Sequence, residues 1–249
     1  LFIRSHHGVK LTPAGQSLYE DAKTIIRLSQ DSLNKARLLS VSNENTIKIG
    51  TSLLYKCRLL LDLWTKISET HPELKIEIIS MSEYQNRGEI FSALGKQFDL
   101  FEGIYGSAGW TEFCQFLELE RTPISCAVSK NHPLKDKKKL ILQDLQNEQI
   151  IMPVQGVSLE LDTFRNHIKT SYPNIKIVDS KRYDLDTFTL CEVNGYVLIT
   201  ESVYKDIHTN LVTIPLETNY TLPYGLIYAK KPNEVTQKFI DIIKNIKAK

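Results

Sequence analysis

Enzyme signatures are what this sequence lacks most plainly. Its 249 residues hold no GxSxG elbow, P-loop, HExxH pair or GxGxxG in a fitting context. The acids scattered over residues 43–249 offer no defensible acid–base pair, so no catalytic residue is expected. Cysteine is sparse: four residues (Cys57, Cys114, Cys126, Cys191) lie far apart, with no CxxC or Cys/His spacing. That pattern excludes a disulfide framework and a structural metal, and it predicts buried, reduced thiols. Long apolar runs are missing too, so neither a membrane span nor a signal peptide is expected. Neither a cofactor nor a metal is implied, and a cytoplasmic location follows as an expectation.

Strong net charge is also absent. The formal charge is only +2. The first 42 residues, however, carry six Lys/Arg against three Asp/Glu, which leaves the remainder at −1. A basic head on a near-neutral body favours phosphate contact at the N-terminal end.

The most informative stretch is Leu1 to Gly15, LFIRSHHGVKLTPAG. It predicts strand, glycine turn, strand and helix. Gly8 suits the positive φ of a tight turn, Thr12 can cap free N–H groups, and Pro13 fits the first helical position. From Pro13 to about Val41, Leu18, Ala22, Ile25, Ile26, Leu33, Ala36 and Leu39 recur at helical spacing. A helix of some 27 residues is about 40 Å long. So narrow an apolar stripe on so long a rod is best covered by a second copy of itself. After a polar break at 42–45, short apolar strands alternate with amphipathic helices, which predicts a mostly parallel α/β sheet.

Phe2, Arg4, Gly8, Leu11, Thr12, Ala14 and Gly15 match a pattern of LysR-type transcriptional regulators. The segment resembles the wing of their winged helix-turn-helix and the linker helix that follows. The downstream layout resembles their effector domain, on Ile47-Lys48-Ile49-Gly50, His71-Pro72, Phe98-Asp99-Leu100, His132-Pro133-Leu134 and Asn194 to Ile199. Phe101-Glu102 and Thr200-Glu201 depart from the family's usual residues.

The resemblance implies an α/β, two-lobed, periplasmic-binding-protein-like (type 2) effector domain, preceded by a wing remnant and a linker helix. The divisions expected are 1–12 for the wing, 13–43 for the linker and dimerisation helix, 46–121 with 222–249 for lobe I, and 122–221 for lobe II. Because Leu1 falls inside the motif, the base-reading helix is expected upstream of it. Partners implied are operator DNA, a small and anionic effector, and a second chain in a homodimer or homotetramer, with no membrane. A solute-binding protein without a DNA role is the alternative.

Ligands of open α/β sheets bind outside the carboxyl ends of the strands, where helix N-termini attract anions. Effector candidates at such places are Thr51 and Ser52, then Gln155, Gly156 and Ser158, then Thr200. Glu102 is added as an acid facing the cleft, with Phe101 and Tyr183 as walls. The DNA candidates are Arg4, His6, His7 and Lys10.

Overall fold

The structure is a computed structural model that describes residues 1–5, 8–40, 45–84, 86–106, 108–181, 183–205 and 207–247. The chain divides into two compact units, Leu1–Glu44 and Asn45–Lys249.

In the first unit, β1 (Phe2–Ser5) pairs antiparallel with β2 (Gly8–Leu11). Gly8 has a φ of 118°, the conformation its place in the turn requires. The chain then enters α1 (Pro13–Ser40), one uninterrupted helix of 28 residues. Thr12 caps it, its Oγ1 accepting the Gly15 N–H at 3.0 Å. Gly15 is dictated by packing, because a Cβ there would lie 2.1 Å from the Leu1 carbonyl oxygen. Leu18, Ile25, Ile26 and Leu33 along α1 are all more than half exposed.

Register places the DNA candidates in an unexpected way. Arg4 sits opposite Val9 and Lys10 opposite Ile3, so the two cations project from opposite faces of the ribbon. His6 and His7 lie outside the described residues.

The second unit is built on a nine-stranded sheet. Its first half comprises β3 (Thr46–Thr51), α2 (Arg58–Thr70), β4 (Lys75–Ser80), α3 (Arg87–Ala93) and β5 (Leu100–Ile104). A long strand β6 (Cys114–Ser129) leads to the second half. That half comprises β7 (Gln149–Pro153), α4 (Leu159–Ser171), β8 (Lys176–Ser180), α5 (Leu185–Asn194), β9 (Val197–Glu201) and β10 (Leu211–Pro215). Strand β11 (Thr221–Ala229) and helix α6 (Glu234–Lys247) return to the first half.

The strand order is β4-β3-β5-β11-β6-β9-β7-β8, with β10 on β6. Strands β4, β3 and β5 are parallel, as are β8, β7 and β9, while β6, β10 and β11 run antiparallel to their neighbours. The sheet is therefore mixed, not mostly parallel. Strand β6 joins the halves. Its early residues pair with β11, up to Pro123 opposite Thr221, and from Ile124 it pairs with β9 and β10.

Each half has its own core. Ile47, Ile49, Leu60, Ile67, Phe239 and Ile243 pack together in the first half. Ile124, Val128, Ile150, Phe164, Ile168 and Ile199 do so in the second. Among the described residues, no helix is long and apolar enough to cross a membrane.

Candidate ligand cavity between the halves of the sheet

Past the end of β3, the chain turns sharply over Ser52–Tyr55. The Ser52 Oγ accepts the Tyr55 N–H at 3.3 Å, which closes the turn. The turn aims the Tyr55 ring edge-on at Phe101, with centroids 5.2 Å apart. Nearby, Asn86 caps α3 by accepting the Glu89 N–H, and α3 opens with Arg87. The Arg87 guanidinium lies over Trp110, 5.1 Å from the ring centroid. Stacking of this kind holds a cation in place without neutralising it.

In the second half, Ser158 caps α4 and Asp184 caps α5. The Tyr183 hydroxyl donates to the Thr200 Oγ1 at 2.6 Å. The Tyr183 and Tyr204 rings pack at 5.7 Å. Glu201 ends β9 at only 5% exposure. Its Oε2 has no hydrogen-bond partner among the described residues.

These two sets of residues face a common cavity of about 620 Å³. Ser52, Tyr55, Arg87 and Trp110 line it from the first half. Ser158, Tyr183, Glu201 and Tyr204 line it from the second. The volume and the mixture of aromatic walls with a few polar groups suit a small organic molecule. Burial pushes the Glu201 carboxyl up to about 8, so it is largely uncharged at neutral pH. Burial also raises the Tyr55, Tyr183 and Tyr204 hydroxyls, and the nearby Glu201 adds to the rise at Tyr183 and Tyr204.

Of the residues singled out from the sequence, Ser52 and Ser158 line the cavity. Both hydroxyls already accept a backbone N–H, so their local role is to fix a turn and a helix start. Thr51 and Thr200 stand one residue away from the wall-forming Ser52 and Glu201. Gln155 and Gly156 are exposed and lie outside the lining, and the Gly156 N–H is taken by Asp162 at 2.9 Å.

Glu102 does not face the cavity. It is fully buried, and its carboxylate accepts Leu59 N–H at 3.0 Å, Leu60 N–H at 2.7 Å and the Tyr224 hydroxyl at 2.6 Å. Phe101 packs in the core beside Tyr55 and Phe98, and Tyr183 is a wall of the cavity. Tyr55, Arg87, Trp110, Glu201 and Tyr204 are among the lining residues that sequence reasoning did not reach.

All four cysteines are buried and free. Burial raises Cys57 and Cys191 to about 12 and Cys114 to about 11, and it raises Cys126 as well. They stay thiols, the unreactive form. Among the described residues, no group of three His, Cys, Asp or Glu is placed to hold a metal ion.

No family model matches the chain. It is 23% identical over 237 residues to the HTH-type transcriptional regulator CysL of Bacillus subtilis, covering 93% of this chain and 76% of CysL. The fold is similar to that of CbnR, a LysR family transcriptional regulator, with a TM-score of 0.63 at 15% identity over 95% of this chain and 81% of CbnR. It is also similar to the effector binding domain of QuiR in complex with shikimate, with a TM-score of 0.57 at 18% identity over 79% of this chain and 94% of that domain.

Proposed function

We propose that this chain, a LysR-type regulator by its fold and its sequence relatives, controls transcription in the cytoplasm in response to a small molecule bound in its cavity. The observation that carries this reading is the lining itself. A cationic Arg87 comes from one half of the sheet and a buried Glu201 from the other, with β11 and β6 between them in the strand order. A molecule touching both walls favours one relative placement of the halves, which is how ligand occupancy becomes a conformational signal.

The anionic end of the effector meets Arg87, whose stacking on Trp110 leaves its N–H fork to a carboxylate. Ser52 and Ser158 shape the walls around it. The test is binding of a simple anionic probe, benzoate, measured by calorimetry. Arg87→Ala is expected to weaken it about 10- to 100-fold, the usual worth of a hydrogen-bonded charge. Unchanged affinity would remove Arg87 from the site.

Operator DNA is met through the ribbon of the first unit. A ribbon entering a groove meets phosphates on both flanks, and Arg4 and Lys10 project from its two faces. The long helix α1 serves as the dimerisation element in a homodimer or homotetramer. Its exposed Leu18, Ile25, Ile26 and Leu33 form the stripe that a second copy covers.

Light scattering separates this reading from a monomeric solute-binding protein. The parent is expected to run as a dimer or larger. The double change Ile25→Asp with Ile26→Asp is expected to weaken that assembly at least 100-fold, because it places two charges in an apolar seam. An unaltered mass would end the proposal for α1.

A further inference from the structure

Glu201 stands out among the charged groups of the second unit. It is 95% removed from solvent, yet its Oε2 finds no donor among the described residues. Buried acids are ordinarily paired with a cation or held by several donors. Glu102 in the same sheet is held in that second way by three donors. Glu201 is also one of the residues that line the cavity.

Its surroundings narrow the kind of donor. The Tyr183 and Tyr204 rings, 5.7 Å apart, line the same cavity, and Tyr55 lines it from the first half of the sheet. Three aromatic rings with one carboxylate form the chemistry that holds an organic cation, through ring quadrupoles and a single counter-charge. The Tyr183 hydroxyl already donates to Thr200, so it does not donate to Glu201.

We propose that Glu201, flanked by Tyr183, Tyr204 and Tyr55, accepts the ammonium group of the effector, which makes that effector an amine-bearing carboxylate with its acid end at Arg87. This deepens the assignment of the cavity as the effector site and rests on it.

Binding a cation there requires ionised Glu201. A carboxyl near 8 therefore sheds its proton to solvent as the ammonium arrives. Tyr183 and Tyr204, which line the cavity with it, stay neutral throughout this range because both are raised well above the ordinary tyrosine value. Arg87, Lys181, Asp184 and Asp186 are the charged residues elsewhere in the lining.

The test uses the full chain and three probes of one size: benzylammonium, benzyl alcohol and benzoate. The protein is labelled with ¹³C at the Glu carboxyls, and the Glu201 signal is identified by its loss in Glu201→Gln, a neutral isostere suited to an uncharged site. Benzylammonium is expected to move the Glu201 signal to its ionised position at pH 7. It should bind at least tenfold tighter at pH 8 than at pH 6, and at least tenfold weaker to Glu201→Gln at pH 8. Benzoate is expected to bind in an Arg87-dependent manner that Glu201→Gln leaves intact.

The proposal alone fails if benzoate binds that way while benzylammonium leaves Glu201 unmoved, or if benzyl alcohol binds as tightly with the same Glu201 dependence. If neither ion perturbs any lining residue, the assignment of the cavity fails and takes this proposal with it.

Discussion

The Glu201→Gln protein should melt roughly 10 °C above the parent at pH 8 and close to it at pH 5. The sign follows from linkage. An unfolded glutamate titrates near 4.5, whereas burial holds folded Glu201 near 8. Between those values the folded chain keeps a proton that the unfolded chain has released, so stability falls as pH rises. The loss begins near pH 4.5 and is complete above pH 8. At about 1.4 kcal/mol per pH unit, the whole window is worth roughly 4 to 5 kcal/mol.

Glutamine removes the titration and keeps the shape, so the variant escapes the loss. For a unit of this size each kcal/mol moves the midpoint by about 2–4 °C. Other groups titrate over the same range, but they cancel in the difference between the two proteins. Parallel curves of melting temperature against pH would show that Glu201 ionises normally and has water or a donor at hand. Occupation of the cavity by an ammonium ion should shrink the difference, because ionised Glu201 then has its counter-charge.

The same residue shows where reading the sequence stopped. Thr200 was singled out as a hydroxyl after a strand, and the structure places Thr200 in β9. In a strand, neighbouring side chains point to opposite faces. Thr200 is fully buried and receives the Tyr183 hydroxyl, while Glu201, one place along, reaches the cavity. Strand parity at an unknown register is not visible in a sequence, so the sequence offers Thr200 where Glu201 lines the cavity.

Ser52 and Ser158 were legible because a polar turn after an apolar strand has a local cause. Arg87 and Trp110 were not, because only the folding of α3 against the segment before β6 makes them neighbours. The start of α1 was legible in full. Thr12, Pro13 and Gly15 each answer a local demand of capping, ring geometry or close approach. The strand β6 was seen only in its second part. The expected lobe boundary falls between residues 121 and 122, whereas one strand runs from Cys114 to Ser129 through the exposed Pro123.

Removing the carboxylate of Glu102 is expected to cost about 3–5 kcal/mol of stability, because three buried donors lose their acceptor at about 1–3 kcal/mol each and share part of that loss. The reason lies at the start of α2. Cys57 occupies the N-cap position with a φ of 52° and provides no side-chain acceptor. The first free N–H groups of that helix would be orphaned in the core, and Glu102 of the neighbouring strand β5 supplies the acceptor instead. It takes Leu59 and Leu60 N–H, and it sits at the positive end of the helix dipole.

Glu102 shares a strand face with Leu100, which packs against α2 and α6, while Phe101 points the other way. In Glu102→Ala, two backbone donors and the Tyr224 hydroxyl lose their partner together. Tyr224→Phe removes one of those bonds and should cost only about 1 kcal/mol. The double variant should fall short of the sum of the two, because both changes break the same network.

Glu102→Gln keeps the volume but turns one acceptor into a donor facing other donors. It should cost about 2 kcal/mol in urea unfolding and leave benzoate affinity unchanged. A Glu102→Ala protein within 1 kcal/mol of the parent would mean that water or a backbone carbonyl can take over the cap. Lost benzoate binding in a folded Glu102→Gln protein would instead return Glu102 to the effector site, from which its burial and its three donors now separate it.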